Sequence, residues 1–194
     1  MSTTSIERDD SKRLMVFAGR SSQDLGSRIA TRLGIQLGEV TLKTFANGEI
    51  YVRFEESVRG ADVFLVQSTC RPVNDSLMEL LIMIDAAKLA SAHRITAVIP
   101  WYGYSRQDKK SAPREPITAK LVAELLQAAG GDRVLTMDLH AGQVQGFFNI
   151  PVDHMTALPM FVDHFKERVY RGEIPERLVV VSPDAGRAKL ASHF

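Results

Sequence analysis

Behind the aromatic positions Trp101, Tyr102 and Tyr104 the chain places Arg106, Gln107, Asp108, Lys109 and Lys110 in close succession. The cationic side chains can neutralise a polyphosphate, an aromatic ring can stack on a flat base, and Gln107 and Asp108 can read polar edges. A solvated surface turn accounts for the same residues. Asp138 and His140 are two apart, so an extended backbone sends both side chains out on one face, where a carboxylate and an imidazole can hold a divalent cation, joined by Asp153 or Asp184 from elsewhere. A hydrogen-bonded pair at a strand end is the plain alternative. Taken alone, a histidine ligand points to zinc or manganese more than to magnesium, which prefers oxygen. The run Ser182-Pro183-Asp184-Ala185-Gly186 can bring backbone N–H groups and a carboxylate to a phosphate and its metal, or can be an ordinary turn.

These residues need elements to carry them. LMVFA (14–18) reads as a strand, followed by a helix over SQDLGSRIATRLG that Gly34 closes. VTLKTF and EIYVRF flank Asn47-Gly48, a strong hairpin signal, and leave Phe45 and Glu49 at the tip as residues that turn chemistry does not explain. ADVFLVQ is a buried strand. From Asn74, read as the capping residue, a helix places Leu77, Leu80, Leu81 and Ile84 on one face. RITAVIP is the strand before the charged loop, ITAKLVAELLQAAGG a helix, RVLTMD a strand, ALPMFVDHFKERVY a helix and RLVVVS a strand. Alternation of apolar strands with helices predicts an α/β fold, a parallel sheet covered on both faces, with an antiparallel hairpin added. Ligands of such sheets bind outside the carboxyl ends of the strands. The loops after RITAVIP, RVLTMD and RLVVVS are therefore expected on one edge.

The charge balance, 24 Lys+Arg against 23 Asp+Glu, carries no global signature of a nucleic-acid binder. A single cysteine, Cys70, excludes an internal disulfide framework, and MSTTSIERDDSKR lacks the apolar segment of a secretory signal. No apolar stretch is long enough to span a bilayer, so the chain reads as cytoplasmic, with no membrane partner. Residues 1–13 read as a mobile tail. His93, His154, His164 and His193 fall at helix ends or surface-like positions and receive no role. Neither a G-x-x-x-x-G-K-[ST] phosphate loop nor a G-x-G-x-x-G fingerprint occurs.

In order and spacing, FANGE (45–49), ESVRG (56–60), LMELLIMIDAAK (77–88), RITAVIPWYGYSRQDKK, REPITAKLVA (114–123), DLHAGQVQGFFNIPVD (138–153) and VVVSPDAG (179–186) resemble the ribose-phosphate pyrophosphokinases, also called phosphoribosyl pyrophosphate synthetases. The resemblance implies a type I phosphoribosyltransferase-like fold with an ATP-binding domain over 14–153 and the start of a second, similar domain over 154–194. It implies transfer of the diphosphoryl group of ATP to ribose 5-phosphate, giving phosphoribosyl pyrophosphate and AMP with Mg²⁺. Phe45, Asn47, Gly48 and Glu49 would hold the adenine and ribose of ATP beside Arg106 and Gln107, with Asp108 and Lys109 near the phosphates. His140 and Asp184 would be metal-associated and Asp138 would support them. A homo-oligomer, a hexamer built from dimers with ATP between subunits, and regulation by phosphate or ADP are further implications. Family chains continue past the position of Phe194 into a basic catalytic loop and a ribose 5-phosphate loop, so the expectation is a truncated synthetase. The alternative is a catalytically inactive fragment or regulatory subunit that binds ATP or joins the hexamer. Trp101, Gly103, Asn149 and Arg187 depart from the usual family pattern, and Asn149 argues against a metal role at its position.

Overall fold

A strand covered on both faces must be apolar at successive positions, and the runs that meet this condition build the sheet. A computed structural model describes residues 13–193. Its strands are β1 (Leu14–Ala18), β2 (Val40–Thr44), β3 (Ile50–Phe54), β4 (Asp62–Val66), β5 (Arg94–Ile99), β6 (Arg133–Met137) and β7 (Val152–Met155). The helices are α1 (Gln23–Leu33), α2 (Val73–Leu89), α3 (Thr118–Ala129), α4 (Leu158–Tyr170) and α5 (Ala188–His193). Two compact units result, one through Met155 and the other from Thr156.

In the first unit a five-stranded sheet runs β1-β4-β5-β6-β7, parallel throughout, while β2 and β3 form a separate antiparallel hairpin. Alternating positions along the strands divide between the two faces. Phe17, Leu65, Ala97 and Ile99 join the larger core with Leu80, Ile84 and Leu126 of α2 and α3. Val16, Val66 and Val98 meet Ile29 of α1 on the other face. The hairpin completes the larger core through Val40, Leu42, Val52 and Phe54, and the Phe54 ring meets Phe17 edge-on at 4.6 Å between centroids. Its tip closes around Gly48, whose φ of +91° a side chain would strain.

Several expectations need correction. β7 was not foreseen, because IPVDHM is only half apolar; it pairs with β6 at the end of the sheet order, and none of its residues is fully buried. Asn74 lies inside α2 and does not cap it, since Pro72 occupies the cap position with no side-chain bond. Of the tail, residues 1–12 lie outside the described residues, whereas Arg13 is tied down: its carbonyl accepts the N–H of Asp62 at 2.9 Å and its guanidinium pairs with Glu56 at 2.9 Å.

The second unit holds α4 and α5 around the 178–187 segment. RLVVVS does not form a strand, and Val179 is 87% exposed. A strand exists by pairing its backbone with a neighbour, and among the described residues of this unit no strand lies beside it. Of the three loops expected on one edge, those following β5 and β6 share it, and the third belongs to the second unit.

Leu80 is fully buried where α2 crosses the sheet, so Leu80→Ala is expected to cost about 2–5 kcal/mol. Urea unfolding checks this, with a shifted midpoint and unchanged slope as the signature.

Candidate functional site

The charged loop is built by stitching the ends of neighbouring strands together. Beyond β4 the N–H of Thr69 donates to the carbonyl of Trp101 at 2.9 Å, and the N–H of Gly103 donates to the Thr69 hydroxyl at 2.6 Å. A Cβ at Gly103 would stand 2.6 Å from the Thr69 carbonyl oxygen, which explains a glycine at that point. Tyr104 adopts φ +64°, a strained choice for a bulky residue that needs external support. Its hydroxyl bonds Asn74 in the first turn of α2, and its carbonyl accepts the N–H of Gln107 at 2.9 Å. Gln107 in turn grips the start of α3: its carbonyl accepts the N–H of Ala119 at 3.1 Å and its side-chain oxygen the Thr118 hydroxyl at 2.6 Å. Further along, the Glu115 carboxylate accepts the N–H groups of Ala112 at 2.9 Å and Ser111 at 2.7 Å, which hold its pKa below the ordinary value.

The three aromatics do different things. Tyr102 is buried, its ring meets Phe148 edge-on, and its hydroxyl donates to the Ala119 carbonyl at 3.1 Å; burial raises its pKa. Its contacts are structural, and little of it is left exposed. Trp101 and Tyr104 are more open and, with Tyr102 behind them, line a cavity of about 630 Å³ with Arg106, Gln107, Asn74 and Asp75. A neighbouring cavity of about 450 Å³ shares Pro72 and Asp75 with it and reaches Thr44 and Gly48 of the hairpin. Both volumes fall in the range of small-molecule sites.

Arg106, Lys109 and Lys110 are exposed and enter no ion pair among the described residues. Asp108, the acid between them, is 7% exposed, and its carboxylate accepts the side-chain N–H of Gln143 at 2.7 Å. Its carboxylate is thereby engaged inward, bonding this loop to the one after β6. There the backbone does not stay extended: β6 stops at Met137, and Asp138 turns at φ +44°. Alternation nonetheless survives, because Leu139 is buried while Asp138 and His140 are both exposed. Asp153 is held by Arg133 at 2.7 Å, and no three His, Cys, Asp or Glu side chains cluster as a metal site among the described residues. Asp184 belongs to the second unit, in a turn where the Ser182 hydroxyl donates to its carbonyl at 2.6 Å.

At the hairpin tip the Asn47 side-chain oxygen accepts the N–H of Glu49 at 3.2 Å, and Phe45 is 52% exposed with its ring edge-on to Tyr51. The tip's direction is fixed from below by residues that sequence reading missed. Glu79 of α2 is 1% exposed and accepts the Arg20 N–H at 2.8 Å, the Gln67 side-chain N–H at 2.9 Å and the Arg20 guanidinium. Arg20 then donates to the Thr44 hydroxyl at 2.8 Å, one residue before Phe45.

Comparison with known proteins decides the family. Residues 14–130 match the model of the N-terminal domain of ribose phosphate pyrophosphokinase. The chain belongs to the ribose-phosphate pyrophosphokinase family. It is 58% identical to the ribose-phosphate pyrophosphokinase of Clostridium perfringens over 95% of the chain and 57% of that relative. Against that of Fusobacterium nucleatum the identity is 56%, covering 91% of the chain and 55% of the relative. The crystal structure of phosphoribosylpyrophosphate synthetase from Mycobacterium smegmatis superposes with a TM-score of 0.87 at 52% identity, covering 94% of the chain and 60% of that structure. The chain thus spans a little over half the length of the family members it matches.

Exchanging the buried Glu79 carboxylate for an amide, in Glu79→Gln, weakens bonds to a charged partner and is expected to cost about 1–3 kcal/mol. Chemical denaturation measures the loss, and faster amide exchange at Phe45 and Gly48 is the accompanying sign that the tip has loosened.

Proposed function

We propose that the first unit binds ATP and serves transfer of its diphosphoryl group to ribose 5-phosphate, yielding phosphoribosyl pyrophosphate and AMP. The observation that carries this reading is a loop whose cations Arg106, Lys109 and Lys110 have no acidic partner among the described residues, and whose Arg106 lines a cavity with Trp101 and Tyr104. Unpaired cations on a rigid frame suit a polyanion, and exposed aromatic faces suit a base. Family membership points the same way.

In this reading Arg106 and Gln107 flank the nucleotide, and Lys109 stands near its phosphates. Asp108, also near the phosphates in this reading, keeps the loop in shape through Gln143. Phe45, Asn47, Gly48 and Glu49 complete the adenine and ribose side. Their exposed position on the hairpin suits contact with ATP held by a neighbouring copy, so the working form is a homo-oligomer. Phosphate and ADP, which share the phosphate chemistry, are its candidate effectors. We take 14–153 as the ATP-binding domain and 154–194 as the beginning of a second one.

Magnesium keeps several waters and needs only one or two protein carboxylates when substrate phosphates supply the rest. Exposed Asp138 and His140 at the end of β6 fit that modest demand better than they fit a closed zinc site; Asp184, in the second unit, is proposed as metal-associated from the family resemblance alone. The bound ion would supply charge neutralisation at the transferring group; the chain's own part is to orient the triphosphate and offset its charge with Arg106 and Lys109. Among the described residues no helix is long and apolar enough to cross a membrane, and we place the reaction in the cytoplasm.

Titrating Mg-ATP against the fluorescence of Trp101, the single tryptophan, tests the binding step. Arg106→Ala is expected to weaken binding by roughly tenfold or more, as loss of a charge-assisted contact does. AMP release that depends on ribose 5-phosphate tests the transfer. A wild-type chain that leaves Trp101 unmoved and binds no nucleotide would sink the proposal.

A further inference from the structure

His154 carried no role in the sequence, yet one of its contacts bears on the candidate site. Its Nε2 accepts the backbone N–H of Leu139 at 3.0 Å. A backbone N–H can only donate, so Nε2 offers it a lone pair. Leu139 is the buried residue between exposed Asp138 and His140. One residue earlier, the N–H of Asp138 donates to the carbonyl of Met155 at 2.9 Å. Consecutive peptides of the turn are therefore gripped by consecutive residues of β7, one through backbone and one through a side chain. The turn needs both anchors, because Asp138 sits at φ +44°, where a non-glycine residue is held only by its surroundings.

We propose that His154 is a positioning residue, a neutral hydrogen-bond acceptor on β7 that fixes the Leu139 N–H and thereby the direction in which Asp138 and His140 face Mg-ATP. The inference rests on the nucleotide reading above. What matters is the acceptor at this reach from the strand, since an exposed histidine on an edge strand buries little surface and packs no core. A side chain of similar bulk without an acceptor leaves the Leu139 amide without this partner. Glutamine places an amide oxygen at comparable reach.

The test compares His154→Leu and His154→Gln with the wild-type chain in two measurements: amide exchange at Leu139 without ligand, and Mg-ATP affinity from Trp101 fluorescence. In His154→Leu, Leu139 is expected to exchange about tenfold faster, the scale of one lost hydrogen bond. Mg-ATP affinity should fall about five- to tenfold in the same variant, with both properties restored to within about twofold in His154→Gln. Unchanged Leu139 exchange in His154→Leu overturns the anchor. Faster exchange with unchanged affinity overturns the positioning role, and a glutamine variant that behaves like leucine overturns the acceptor as its basis. A wild-type chain that binds no Mg-ATP overturns the nucleotide reading and this role with it, a failure distinguishable because the exchange comparison uses no ligand.

Discussion

A carboxylate taken out of water must be paired or it destabilises the fold by several kcal/mol, and Glu79 is almost wholly out of water. Its pairing dictates much of the surrounding structure. Arg20 must leave the end of β1 in a tight turn to reach it, and Gln67 must leave the end of β4 with its amide aimed at α2. The Ser21 hydroxyl fills the rest of the network, donating to the Gln67 side-chain oxygen at 2.7 Å. Two strand ends and a helix are thereby fixed around one charge. Arg20 extends that order outward to Thr44 and the hairpin.

The two loops that follow β5 and β6 obey the same logic at lower cost. Each projects exposed functional groups, and each is held by a buried residue with its polar atoms satisfied: Tyr102 bonded to Ala119 in one, Leu139 beneath its turn in the other. Asp108 and Gln143 join the loops to each other. Since β5 and β6 are neighbours in the sheet, that bond and the Tyr102–Phe148 ring contact together link the cationic loop to the loop that begins with the Asp138–His140 turn. Positions of these exposed side chains are thus inherited from strands, not from the loops' own preferences.

How much of this the sequence revealed follows the range of the forces involved. Short, near-continuous apolar runs identified the central strands, and the Asn47-Gly48 pair identified the hairpin, because burial and turn chemistry act within a few residues. The charged loop was legible for the same reason: Arg106, Gln107 and Lys109 are adjacent in the chain. Pairings across long separations were not. Nothing near Glu79 in the sequence marks it as the partner of Arg20, 59 residues away, and Asn74 looked like a helix cap because its bond to Tyr104 comes from a distant loop. RLVVVS illustrates the converse. Its composition is that of a strand, but pairing belongs to the neighbourhood, and its own unit supplies none among the described residues.

The charge arrangement separates scaffold from site. Arg20 and Arg133 meet carboxylates at Glu79 and Asp153, and Arg13 meets Glu56 at the margin of the sheet. Such pairs cancel charge locally and hold elements together. Around Arg106, Lys109 and Lys110 the chain does the reverse. An acid is present in the very same loop, yet Asp108 is drawn into the protein and bonded to Gln143, so its carboxylate spends itself on shape rather than on neutralising its neighbours. Exposed like charges held close together repel one another, a cost the fold bears without return in the free protein. The arrangement becomes favourable once an anion with several negative oxygens enters, because each cation then gains a partner without giving one up. A triphosphate supplies that number of oxygens beside a base that Trp101 and Tyr104 can face.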